Sequence, residues 1–222
     1  MAKTNQNRNG CKDVFHAYLV KDASFDSELE IPCIEREENL PDRLIPFSKA
    51  GSGTDFNAWV HFYEDDIAFE RLWNNPQRYL PILQRYKGVI SPDFSLYRDM
   101  PLVMQLWNIY RGRAIGHWLQ VHGVAVIVNV RWSDERTYRS CCAGVPKHSV
   151  IAVGSHGCIK LLREQEYFVN GLEFAVKELK PKIIVVYGSA PENIFGKYKD
   201  NGITVLQFNS EFMATHRKVV VA

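Results

Sequence analysis

Seven short apolar runs, rich in Val and Ile and bounded by Gly, Pro or Ser, constrain this chain more than anything else in it. They begin at Leu44 (LIPFS), Ala58 (AWVHFY), Gly88 (GVISP), Val124 (VAVIVNV), Ser149 (SVIAVGS), Lys182 (KIIVVYG) and Ile203 (ITVLQF). Runs of this kind read as buried strands. From Ala58 onward their starts lie 21 to 36 residues apart, the length of a strand plus a returning helix. The runs are continuously apolar rather than alternating, as in parallel strands covered on both faces. The expectation is an α/β fold with a mainly parallel sheet of about seven strands. An irregular TIM-like barrel is favoured because polar residues follow nearly every strand, and an open doubly wound sheet is the alternative. In both, ligands bind at the carboxyl ends of the strands.

Helical spacing fills most of the gaps. Helices are expected over 65–74, 76–86, 100–122, 163–179 and 191–198, with Pro76 at a first turn and Gly123 as a C-terminal stop. The first connection, SKAGSGTDFN, is a loop that need not contain a helix. Within the long helix, Arg111 and Arg113 are expected on the outer face, solvated or paired, with Gly112 marking a close packing contact.

Composition narrows the classes. The 222 residues are 46% hydrophobic and 23% charged, ordinary for a globular chain that needs no disulfide framework. A net charge of +2 excludes a generally basic nucleic-acid coat and an acidic solvating tail. The longest uncharged apolar runs are about five residues, far short of a membrane span. The opening MAKTNQNRNGCK is basic and polar without a signal peptide's apolar stretch, so a cytoplasmic chain is expected. Residues 1–12 read as a disordered basic tail and 13–222 as a single α/β domain. From Glu28 to Asp42 an acidic segment is expected to wrap the outside, anchored by Leu29, Ile31 and Ile34. Five cysteines, Cys11, Cys33, Cys141, Cys142 and Cys158, read as reduced thiols in that compartment. The spacing of Cys141, Cys142, His148, His156 and Cys158 matches no common zinc pattern.

The residues just past each strand carry the chemistry. They include His61 and Glu64-Asp65-Asp66, then Asp93, then Asn129 and Arg131, then His156, then Tyr187 and Gly188. Converging strand ends would gather them at one crevice. Asp93 follows a strand and a proline and suits a general base or a contact to a ligand hydroxyl; as a plain structural residue it would cap the next turn. Asp65 and Asp66 suit an acid, a metal ligand or a ribose contact, or alternatively the dipole and cap of the helix they precede. Arg131 offers a planar fork to phosphate or carboxylate, or a salt bridge to an acidic strand end. Asn129, His156 and Tyr187 would orient a substrate, while His61, inside a strand and a candidate substrate contact, reads more readily as a satisfied core or crevice histidine. The turn at Gly188 leads straight into a helix, where exposed N–H groups can hold an anion. Neither a GxxxxGK[ST] nor a GxGxxG loop is present, and the sequence assigns no cofactor.

The stretch from VHFYEDDIAFERLW through GVISPDFSLYRDMP and QLWNIYRGRAIGHWLQ to VIVNVRW, then CAGVPKHSVIAVGSHG and KPKIIVVYG, resembles an uncharacterised family of bacteria, phages and mobile elements, a domain of unknown function. PDFS and NVRW are its most specific motifs, and the resemblance spans most of Leu44 to Gly188. It implies one intact domain and a phage or mobile-element setting, and carries no activity across.

Two functions are expected. One is an enzyme with a carboxylate-rich crevice for a small anionic ligand, nucleotide-like or a sugar phosphate, acting by hydrolysis or glycosyl transfer. The alternative is a non-catalytic nucleic-acid-binding or regulatory protein of a phage or mobile element. It would use Lys3, Arg8 and Lys12, the Arg-aromatic stretch Trp107–Trp118, and His216, Arg217 and Lys218. The sequence leaves the oligomeric state open.

Overall fold

A computed structural model describes residues 7–8 and 11–210. The expected basic tail falls largely outside the described residues; within it, Asn7–Arg8 pairs antiparallel with Cys11–Lys12. All seven apolar runs form strands. They are β1 (Leu44–Pro46), β2 (Trp59–His61), β3 (Gly88–Ile90), β4 (Val126–Asn129), β5 (Val150–Gly154), β6 (Ile183–Tyr187) and β7 (Thr204–Phe208). The helices are α1 (Phe47–Ala50), α2 (Asp66–Asn74), α3 (Pro76–Leu83), α4 (Leu102–Val121), α5 (Glu135–Cys142), α6 (Leu162–Leu179) and α7 (Glu192–Asp200). Two of these were not expected: the single turn α1, and α5, whose start is capped by the Asp134 carboxylate accepting the Arg136 N–H.

Every pairing in the main sheet is parallel, and spatial order follows chain order from β1 to β7. The sheet curls into an open half-barrel. The open alternative is therefore the one the chain adopts, and the closed TIM-like barrel is not. Closure would require β1 to pair with β7, but β1 has three residues and ends in Pro46, which has no N–H to give.

Strand side chains alternate between two cores. On the convex face Val60, Val89, Val128, Ile151 and Val186 pack with residues from all seven helices. On the concave face Trp59, Ile90, Ile127, Ala152 and Val185 pack on one another with no helical residue among them. That segregation follows from an unreversed strand order, because right-handed crossovers then deliver every helix to the same side.

The central helix α4 departs most from expectation. From Asn108 to Leu119 it is buried nearly all round, so Arg111 (8% exposed) and Arg113 (4%) are interior residues rather than outer-face ones. Arg111 pairs with Glu70 at 2.7 Å, and its guanidinium lies 3.9 Å from the centroid of the Phe94 ring. Gly112 does mark a close approach: a Cβ there would lie 3.1 Å from the Pro92 carbonyl oxygen. The acidic segment packs against α4, with Ile31 and Ile34 buried as the expected anchors, although Leu29 stays 45% exposed. Gln120 fastens it by exchanging two hydrogen bonds with the Glu35 backbone.

Candidate functional site

The carboxyl ends of β3, β4 and β5 and the first turns of α6 enclose a cleft of about 650 Å³. That is within the roughly 300–1,000 Å³ range of small-molecule sites. Asp93 and Arg131 meet at its floor. One Asp93 carboxylate oxygen accepts from Asn129 Nδ2 at 2.7 Å and the other from Arg131 Nη1 at 2.6 Å. Asp93 is only 7% exposed. Burial pushes its carboxyl above the ordinary aspartate value, while Arg131 and Asn129 pull the other way. Arg131 Nε is a buried donor with no acceptor among the described residues.

The loop carrying Asp93 is gripped from several sides. Asp66, at the start of α2, accepts both the backbone N–H and the hydroxyl of Ser95. Asn108 on α4 donates to the Ser95 carbonyl at 2.7 Å. Gln105, one turn earlier, accepts from the Ser133 hydroxyl and so holds the loop after β4. Gln105, Asn108 and Arg111 recur every three residues and form a polar stripe along one face of α4. Such support preorganises a site by removing the freedom of the groups that carry it.

Behind the floor, a chain of contacts runs into the concave core. The Tyr63 hydroxyl donates to Asn129 Oδ1 at 3.0 Å, and its ring stacks on Tyr187 with centroids 4.7 Å apart. His61 packs against Tyr187 at 4.5 Å, and its Nδ1 accepts the Tyr63 N–H. With Nδ1 an acceptor, the imidazole is neutral, and burial, helped by the charge of Lys49, lowers its pKa to about 3. The unfolded chain therefore takes up a proton at this histidine below about pH 6.5 that the folded chain refuses down to about pH 3. Stability contributed by the neutral form is lost as pH falls through that window, by roughly 2 kcal/mol at pH 5. Urea unfolding across that range checks this: His61→Gln should flatten the slope, and an unchanged slope would refute the assignment.

The residues expected at the strand ends thus divide. Asp93, Arg131 and His156 line the cleft. Asn129, Tyr187 and His61 lie buried, with Asn129 bonded directly to Asp93. Gly188 has φ +116° and packs so tightly that a Cβ would fall 2.5 Å from Ser155 Oγ, so it shapes the turn over β5. Asp66 holds the Asp93 loop from outside the cleft, and exposed Asp65 lies outside the lining too. Sequence reasoning missed the far wall, where Arg98, Glu164, Tyr167 and Arg163 stand on the loop after β3 and on α6. The available signal was a charged pair opening a helix that directly follows a strand-end loop. Cys158 also lines the cleft, and burial raises its thiol pKa. Cys33, Cys141, Cys142 and Cys158 are free thiols. Among the described residues no group of three or more His, Cys, Asp or Glu is placed to hold a metal ion, and no helix is long and apolar enough to cross a membrane.

Fold and site together define an open parallel α/β protein with a preorganised cleft at its strand ends. The chain belongs to the DUF4417 family, a domain of unknown function, which it matches over residues 23–209. It is 35% identical over 129 residues to the Gene 1 protein of Mycobacterium phage D29, covering 58% of this chain and 48% of that protein. It is 36% identical over 129 residues to the Gene 1 protein of Mycobacterium phage L5, covering 58% of this chain and 56% of the phage protein. The chain spans about half the length of the curated relatives it matches. No solved structure matches it.

Proposed function

We propose that the strand-end cleft binds a phosphorylated small molecule, nucleotide-like or a sugar phosphate, and acts on it by hydrolysis or glycosyl transfer with Asp93 as general base. The observation that carries this reading is the Asp93–Arg131 pair at the floor of a cleft of small-molecule size. A buried carboxylate whose pKa is raised is a better base than one in water. Arg131, whose side chain is 31% exposed and lines the cleft, can offer its guanidinium to an anionic oxygen. His156 and Arg163 line the same cleft. Free thiols accord with a reducing, cytoplasmic setting.

No observation favours the nucleic-acid alternative. Its terminal cations Lys3, His216, Arg217 and Lys218 lie outside the described residues, as do the side chains of Arg8 and Lys12. Arg111 and Arg113 of the Trp107–Trp118 stretch are buried.

Thermal unfolding with mononucleotides, sugar phosphates, inorganic phosphate and a short oligonucleotide tests the reading. A small-molecule ligand at about a hundred times its Kd should add roughly 2.7 kcal/mol and raise the midpoint by roughly 5–10 °C. Asp93→Asn should keep the fold and abolish turnover of whichever compound binds. A shift with the oligonucleotide alone would transfer support to the alternative, and no shift at all would sink the reading.

A further inference from the structure

The far wall of the cleft holds an arginine whose edge is taken by a carboxylate and one face by an aromatic ring, with part of the side chain still exposed. The Arg98 guanidinium carbon lies 4.4 Å from the centroid of the Tyr167 ring, which covers one face. Both Nη atoms donate to the Glu164 carboxylate, at 2.7 and 2.5 Å, in a bidentate pair that fixes the plane. The backbone on both sides is pinned as well: the Arg98 carbonyl accepts from Arg136 Nη2, and the Tyr167 carbonyl accepts from Trp132 Nε1 and the Tyr138 hydroxyl. Arg98 nevertheless lines the cleft with 33% of its side chain exposed.

With its edge spent on Glu164, this guanidinium is poorly placed to grip phosphate. A planar, weakly hydrated cation backed by an aromatic ring is instead a stacking surface for another flat π system. A sugar phosphate has no such ring, but a nucleobase does. We infer that the cleft takes a mononucleotide, its base stacked on the face of Arg98 opposite Tyr167 and its phosphate directed to Arg131 and Arg163; this rests on the phosphorylated-ligand reading above. Volume agrees, since a cleft of about 650 Å³ has room for base, sugar and phosphate together.

Calorimetric titration of the full chain with AMP, UMP, ribose 5-phosphate and inorganic phosphate is the test. Either nucleotide should bind at least about tenfold more tightly than ribose 5-phosphate. Arg98→Lys keeps the charge and a partner for Glu164 but has no flat face. It should erase that advantage and leave ribose 5-phosphate affinity unchanged. If circular dichroism shows that Arg98→Lys does not fold, Tyr167→Leu removes the backing ring and reads the same quantity. Equal affinity for nucleotides and ribose 5-phosphate, or an advantage that survives these substitutions, overturns the stacking platform and leaves the phosphorylated-ligand reading standing. Binding of none of the four overturns both.

Discussion

Replacing Arg113 with methionine is expected to be the most damaging single substitution away from the cleft. Its side chain has no carboxylate partner and instead bonds three backbone carbonyls: Nε to Ala143 at 3.1 Å, Nη1 to Asn129 at 3.0 Å and Nη2 to Cys141 at 2.6 Å. Those carbonyls lie at the end of β4 and around the last turn of α5, so one fork ties the central helix to the strand that presents Asn129 and to its neighbour helix. Burial lowers the guanidinium pKa to about 10, still well above neutrality, so the group stays charged. Methionine fills much of the volume but leaves three buried acceptors unmet, a loss of about 4 kcal/mol or more. For a chain of this size that lowers Tm by roughly 10 °C, readable by calorimetry. Arg113→Lys, which keeps the charge without the fork, should fall between. A methionine variant within about 1 kcal/mol of the parent would contradict this account.

Arg131→Leu should combine a binding defect with a distinctive pH dependence. Removing the guanidinium leaves the Asp93 carboxylate buried with only Asn129 to bond it, at a cost of about 3 kcal/mol near pH 8. Asp93 already has a pKa above the ordinary value, and losing its cation raises it further. A carboxyl raised in the folded state contributes its stability below the unfolded pKa and loses it as pH rises through the folded one. The variant should therefore recover part of its deficit on acidification from about pH 8 to pH 5, relative to the parent at each pH. Adding Asp93→Asn should remove that recovery, because the buried carboxyl that takes up the proton is then gone. Urea midpoints at the two pH values decide it, and a deficit identical at both would refute a buried unpaired carboxylate.

The inner strands β2 to β6 were legible because a parallel strand covered on both faces is apolar nearly along its whole length, whereas β7, expected to be buried like them, is an edge strand with no buried residue. Helix α5 was hidden because ERTYRSCC has few apolar residues to mark a period, although Asp134 at its cap was a usable sign. Arg111 and Arg113 misled for the opposite reason. Charge marks the solvent side only where a helix has one, and α4 is enclosed around both arginines. Closure of the sheet depends on whether two edges far apart in the chain meet, which local pattern does not encode. At the site, Asp93, Asn129 and Arg131 could be read because strand ends are fixed points of the fold. Arg98 and Glu164 come from a loop and a helix start, and only the folded chain brings them within 2.5 Å of each other.

Spatial order matching chain order also bears on how the protein is made. As the polypeptide leaves the ribosome, each new strand finds the edge it must join already exposed and waiting, with no gap reserved for a segment still to be synthesised. The growing sheet always ends in a live edge, which the next strand covers, and β7 is the last to arrive. Translation can thus assemble the floor of the cleft, from β3 to β5, before α6 emerges to complete its far wall.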